Sequence, residues 1–142
     1  MHRPPERNGS VARGVWGEEA AAEYLRRGGY VIVERNARPC RKDRRLEIDI
    51  VAYHEPSDAM VFVEVKQHAG HSPWERRLRS VDRRKLDLMR RACNAWRFAN
   101  AFGGNVRFDV IEVYGEPGGG RPEIDHIPDV RLFATRDRFA KW

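Results

Sequence analysis

Cysteine is scarce in this chain. Only Cys40 and Cys93 are present, and not in a C-x-x-C spacing. That excludes a disulfide framework and a zinc site built on paired cysteines, and it fits a reducing compartment. Long apolar runs are missing too. None approaches the roughly 20 residues that a membrane-spanning helix needs, and the opening MHRPPERNGS lacks the apolar core of a signal peptide, so a soluble, cytoplasmic protein without a membrane partner is expected. Lysine is rare, with 4 against 23 arginines, yet the net charge is +6. Two segments hold more than that excess. Arg35–Arg45 has six basic residues against Asp43, and Arg76–Arg91 has eight against Asp82 and Asp87. Charge focused in this way suits a polyanion such as nucleic acid, while a solvated, arginine-rich surface is the plainer alternative.

What is present is organised around Leu46–Lys66, LEIDIVAYHEPSDAMVFVEVK. Two apolar runs, Leu46–Ala52 and Met60–Lys66, flank a polar segment with Pro56, Ser57 and Asp58, a hairpin-like pattern. A strand has a side-chain period of two, so Leu46, Ile48 and Ile50 are expected on one face, with Glu47 and Asp49 on the other. In the second run Val61, Val63 and Val65 oppose Phe62, Glu64 and Lys66. Antiparallel pairing then brings Asp49 onto the face of Glu64 and Lys66.

Carboxylates about 4 Å apart repel by roughly 4 kcal/mol at an effective dielectric near 20, so clustering Glu47, Asp49 and Glu64 calls for a cation. Lys66 supplies one charge. A hard divalent ion such as Mg2+, which accepts one or two carboxylates and keeps several waters, would supply the rest. An Asp followed by E-x-K suits phosphodiester hydrolysis: two acids hold the metal, and the lysine orients a water or supports developing charge. The alternative is an ordinary solvated strand face with a weak ion pair. Against it stands the apolar run Met60–Val65, which marks a central, buried strand.

One α/β domain accommodates 142 residues. Residues 1–12 are expected to be flexible, 13–130 to form the domain, and 131–142 to be a basic tail. A helix is expected over 13–27, stopped by Gly28-Gly29, with Glu18 in line with Ala21, Ala22 and Leu25 on the stripe that faces the sheet. Strands are expected at 30–34, 105–114 and 124–127. A second helix from a Ser80 cap to Asn100 presents Leu86, Met89, Cys93 and Trp96 to the core. The loop after Lys66 carries His68, His71 and Trp74 among arginines. Its candidate nucleic-acid contacts are His68, Arg76, Arg77 and Arg79, joined by Lys85 on the helix and by Arg41, Lys42, Arg44 and Arg45 of the earlier basic segment. Metal ligation by His68 and His71 is the alternative.

In order, Gly17-Glu18-Glu19-Ala20-Ala21-Ala22-Glu23-Tyr24-Leu25, Gly29-Tyr30, Glu47-Ile48-Asp49-Ile50-Val51-Ala52, Val61-Phe62-Val63-Glu64-Val65-Lys66 and Val106-Arg107-Phe108-Asp109-Val110-Ile111 resemble the YraN-like bacterial proteins. That family is placed in the PD-(D/E)xK, restriction-endonuclease-like group and is similar to Holliday junction resolvases. The resemblance implies a mixed central sheet flanked by helices and a Mg2+- or Mn2+-dependent nuclease acting on DNA, branched DNA foremost. It makes Asp49 and Glu64 metal-binding acids, Lys66 the catalytic lysine, Val65 the donor of a main-chain carbonyl to the metal, and Glu18 the acid that resolvase-like members add from a helix. It also suggests a homodimer, since cutting two strands symmetrically calls for two sites. The chain departs from the usual pattern at Leu46, where glycine is common, and at Gln67-His68, where a small polar residue and an arginine are common.

Overall fold

Apolar residues alternate through the central strands and recur every three to four positions in the helices, so each helix can cover one face of a sheet. The structure, a computed structural model, describes residues 9–70 and 83–131. The elements run α1 (Gly9–Arg27), β1 (Tyr30–Ala37), β2 (Ile48–His54), β3 (Ala59–His68), α2 (Arg83–Ala99), β4 (Asn105–Tyr114) and β5 (Glu123–Ile127). The strands form one sheet in the order β1-β2-β3-β4-β5. Among the described strands only the neighbours β3 and β4 are parallel. The connection between them carries α2, as a crossover between parallel neighbours requires. The fold is α/β, a mixed central sheet flanked by helices, consistent with a restriction-endonuclease-like core.

Each face of the sheet has its own apolar cluster. Ala21, Ala22 and Leu25 of α1 pack on Ile50, Ala52, Val61, Val63, Ile111 and Val113. Met89, Ala92, Cys93 and Trp96 of α2 pack on Val51, Phe62, Phe108 and Val110. Met89, Cys93 and Trp96 are thus core side chains, as their spacing predicts.

Four expectations are corrected. Helix α1 starts at Gly9 and not at residue 13, because Ser10, Val11 and Ala12 contain no breaker and the helix runs on through them. Strand β1 continues past Glu34 to Ala37, because β2 offers partners as far as Ala37–Ile48, with a bulge between Ile32 and Glu34. The hairpin strands are displaced from 46–52 and 60–66 to 48–54 and 59–68, with Glu55–Ser57 as a 3-10 turn and Asp58 in the left-handed region at φ 46°. The triplet Leu46, Ile48 and Ile50 does not share a face: Leu46 and Ile48 join the cluster under α2, Ile50 the one under α1. Strict alternation fails there because the ladder to β3 ends at Ile50–Val63. The expected Ser80 cap, the loop arginines 76, 77 and 79, His71, Trp74 and the tail beyond Arg131 lie outside the described residues. No helix among the described residues is long and apolar enough to cross a membrane.

Candidate active site

Beyond the last rung between β2 and β3, a side chain takes over from the backbone. Asp49 Oδ2 accepts the N–H of Val65 at 2.8 Å. This fixes the carboxylate beside β3, where Glu64 leaves the same strand buried at 7 % exposure. Burial, with the Glu64 charge added, pushes the Asp49 carboxyl up to about 8. Glu18 and Glu47 push it the same way.

Glu64 is held by two lysines. Lys66 Nζ and Lys85 Nζ each lie 3.2 Å from its Oε1. Lys66 comes from the same face of β3, and Lys85 from the first turn of α2. The sequence offers Lys85 as a nucleic-acid contact; the structure sets it on Glu64.

Glu18 arrives from α1. Burial raises its pKa against the opposing charge of Arg35, and Glu47 and Glu64 raise it further. Its Oε1 is buried without a hydrogen-bond partner among the described residues. Helix and strand approach closely here: a Cβ on the buried Gly17 would stand 3.0 Å from Gln67 Cβ. Glu18, Asp49 and Glu64 therefore gather from α1, β2 and β3 within electrostatic reach of one another.

The other predicted residues lie apart from this group. Arg41, Lys42, Arg44 and Arg45 are exposed in the loop between β1 and β2. Arg45 is tied back to Asp43 by contacts of 2.9 and 2.7 Å, and Asp43 also meets Arg91 of α2 at 3.3 Å. The Arg45 guanidinium holds the Asp43 carboxyl down at about 2. His68 turns toward β4, with Nε2 3.1 Å from Glu112 Oε1 and its ring stacked on Tyr114.

Three charged residues carried no role in the sequence reading. Arg35 on β1 bonds Glu19 at 2.6 Å and leaves its buried Nε without a partner among the described residues. Glu112 and Asp109 are buried on β4. Their signal was available, because both acids interrupt the otherwise apolar run Phe108–Tyr114.

The donor chemistry fits a hard divalent cation. Two half-buried or buried carboxylates, one with a raised pKa, and a third acid with an unpaired oxygen form an arrangement that positive charge relieves. Among the described residues no three His, Cys, Asp or Glu side chains converge tightly enough to enclose a metal. Two carboxylates are within what Mg2+ accepts, since it keeps several waters.

The family model of the uncharacterised protein family UPF0102 matches residues 17–113, which contain every one of these site groups. A UPF0102 protein of Syntrophomonas wolfei is 37% identical over 118 residues, covering 80% of this chain and 92% of its own. One of Streptomyces griseus is 38% identical over 125 residues, covering 87% and 98%. One of Clavibacter michiganensis is 40% identical over 112 residues, covering 78% and 88%. The chain belongs to the UPF0102 family, the YraN-like proteins that its ordered motifs resemble.

Proposed function

We propose that this protein is a Mg2+- or Mn2+-dependent endonuclease that hydrolyses phosphodiester bonds in DNA, with branched or otherwise structured DNA as its substrate class. The observation that carries this reading is the meeting of Glu18, Asp49 and Glu64 from three elements, with the Asp49 carboxyl pushed up to about 8 by burial and by Glu64. Acids so placed repel one another, and a divalent cation among them relieves that repulsion. A bound Mg2+ or Mn2+ supplies Lewis acidity to a phosphate oxygen and to a water. Asp49, by the oxygen not bonded to Val65, and Glu64 are the side chains that would hold it, with the Val65 carbonyl as the donor the resemblance implies. Lys66 then orients the attacking water or supports charge on the phosphate. Glu18 adds an acid from the opposite side of the sheet. The exposed Arg41, Lys42 and Arg44 offer charge to the DNA backbone, and a cytoplasmic homodimer would offer two sites to two strands.

A second reading, a non-catalytic nucleic-acid-binding or adaptor protein on the same fold, is favoured by one observation. Lys66 and Lys85 already neutralise Glu64 with no metal required. Cleavage of labelled four-way-junction, flap, duplex and single-stranded DNA in Mg2+, Mn2+ or EDTA separates the two. Metal-dependent cutting by wild type that disappears in Asp49→Ala is the expected result. Salt-sensitive DNA binding without cutting in any metal would favour the second reading.

A further inference from the structure

Glu112 sits on β4 with its side chain 1% exposed. A carboxylate at that depth is costly unless its oxygens are paired. One of them is, since Oε1 lies 3.1 Å from His68 Nε2. His68 is itself stacked on Tyr114, with centroids 4.8 Å apart and the rings 20° from parallel. The other oxygen, Oε2, is buried without a hydrogen-bond partner among the described residues.

Directly across the parallel ladder from Glu112 stands Lys66. Register partners on parallel strands leave the sheet on the same face, and the strands are about 4.8 Å apart. The neighbouring rungs agree, because Phe62 and Phe108, also partners, both pack under α2. Yet the Lys66 ammonium reaches back along its own strand to Glu64 Oε1, which Lys85 also occupies. One oxygen thus carries two ammonium groups, while the acid opposite Lys66 keeps an oxygen with no partner among the described residues.

We infer that Glu112, oriented by His68, is a second seat for the Lys66 ammonium, a positioning residue that receives the lysine when Glu64 is engaged by a divalent cation. The inference rests on the metal-dependent reading above. Two ammonium groups and a divalent cation on one carboxylate repel one another, so an ammonium has to leave Oε1, and Lys66 is the one with the half-satisfied Glu112 across the ladder. Its four-carbon stem lets it turn from a neighbour two residues back to the neighbour across the ladder without moving the strand. Glu112 then keeps the ammonium on the face of Glu64 instead of releasing it to solvent. The buried, half-satisfied acid has a purpose on this account: its free oxygen is the vacancy the lysine fills.

The test is a double-mutant cycle read by Mn2+ affinity, from paramagnetic resonance of the free ion, on the full chain as wild type, E112Q, K66A and the double variant, with D49A as the site control. E112Q should weaken Mn2+ binding about fivefold or more when Lys66 is present and less than about twofold in K66A, because only the lysine needs the second seat. In DNA cutting E112Q should lose about tenfold in kcat with little change in KM, the pattern of an interaction made in the reacting complex. An E112Q effect on Mn2+ binding of equal size with and without Lys66 would mean that Glu112 acts only as bulk negative charge, and it overturns the inference; so does undiminished affinity in E112Q. Should E112Q fail to fold, His68→Gln, which unties Oε1 from a half-buried position, takes its place, and full Mn2+ affinity in that variant overturns the inference. Wild type that binds no Mn2+, or binds it as well in D49A, sinks the metal-dependent reading and this inference together. Binding that depends on Asp49 but shows no Lys66–Glu112 coupling sinks the inference alone.

Discussion

Lys66 and Lys85 reach the same oxygen of Glu64, each at 3.2 Å, one from strand β3 and the other from helix α2. Glu64 is therefore where α2 is fastened electrostatically to the sheet. The two lysines differ in exposure, 25% for the Lys66 side chain and 39% for that of Lys85.

From this difference follows a graded pair of effects. Lys66→Ala should reduce DNA cutting by about a hundredfold or more, the loss typical when one preorganised charge-stabilising group is removed, and should leave DNA affinity nearly unchanged. Lys85→Ala, farther into solvent, should cost cutting less than Lys66→Ala does. Single-turnover cleavage and equilibrium DNA binding check both. Equal activity in Lys66→Ala and wild type would remove the lysine from the site.

Asp49 makes a prediction about stability with its sign fixed by the raised pKa. In the unfolded chain an aspartate titrates at about 3.9; in the folded protein burial, then Glu64, pushes it up to about 8. Between these values the folded state holds a proton that the unfolded state has lost, so without divalent metal this group takes stability away as pH rises from about 4 to 8. Asp49→Asn keeps an oxygen for the Val65 N–H and removes the charge. It should be more stable than wild type by about 1–2 kcal/mol at pH 8 in EDTA, a gain bought with the site's activity. Urea melts at pH 5 and pH 8 measure this, and a less stable variant at pH 8 would contradict the assigned shift.

Strand β4 was legible at 105–114 because its apolar density and the Gly103-Gly104 break bound it on the sequence alone. Glu64 and Lys66 were legible as a pair because E-x-K on an apolar strand keeps both groups on one face. Glu18 stood out by its helical spacing to Ala21, Ala22 and Leu25. The split of Leu46 and Ile48 from Ile50 was hidden, since it arises where β2 parts from β3, and a strand's own period does not record where its partner ends. Lys85 on Glu64, and Lys66 opposite Glu112, were hidden for a related reason. Both depend on long-range placement, of α2 on the sheet and of β3 beside β4 in parallel register.

Asp109 predicts how the protein responds to acid. Its side chain is 0% exposed, and burial alone would raise its pKa, but bonds from His126 at 2.7 Å, Arg107 at 2.9 and 2.8 Å and the Asp129 N–H at 3.0 Å bring it below the ordinary value. A depressed carboxylate contributes stability above its unfolded pKa and loses it as pH falls through the folded one, so this contribution should be intact at pH 5 and decline below about pH 4. Asp109→Asn leaves the Arg107 guanidinium, only 17% exposed, without its counter-charge. The variant should lose about 3 kcal/mol at pH 7, as breaking a buried pair does, and its melting curve should flatten between pH 4 and pH 2 relative to wild type. A wild-type acid transition preserved in the variant would place the acid sensitivity elsewhere.

Two glycines of α1 should respond in opposite directions to the same change. Alanine is favoured over glycine inside a helix by about 0.8–1 kcal/mol. At Gly14 a Cβ meets nothing within 4 Å among the described residues, so Gly14→Ala should realise most of that gain. At Gly17 the new Cβ would stand 3.0 Å from Gln67 Cβ and 3.1 Å from its Cγ. Gln67 has little room to yield, because its Nε2 donates to the Gly115 carbonyl at 2.6 Å and its Cβ is fixed by β3. Helix α1 would have to move off the sheet, taking the neighbouring Glu18 with it. Gly17→Ala should therefore cost about 1–2 kcal/mol despite the better helix propensity, the usual range for overpacking. It should also weaken Mn2+ binding, if Glu18 belongs to the site as proposed. Melting curves and Mn2+ titrations of the two variants side by side decide it: stabilisation of both would show that α1 is not held against Gln67, and unchanged Mn2+ affinity in a destabilised Gly17→Ala would take Glu18 out of the site.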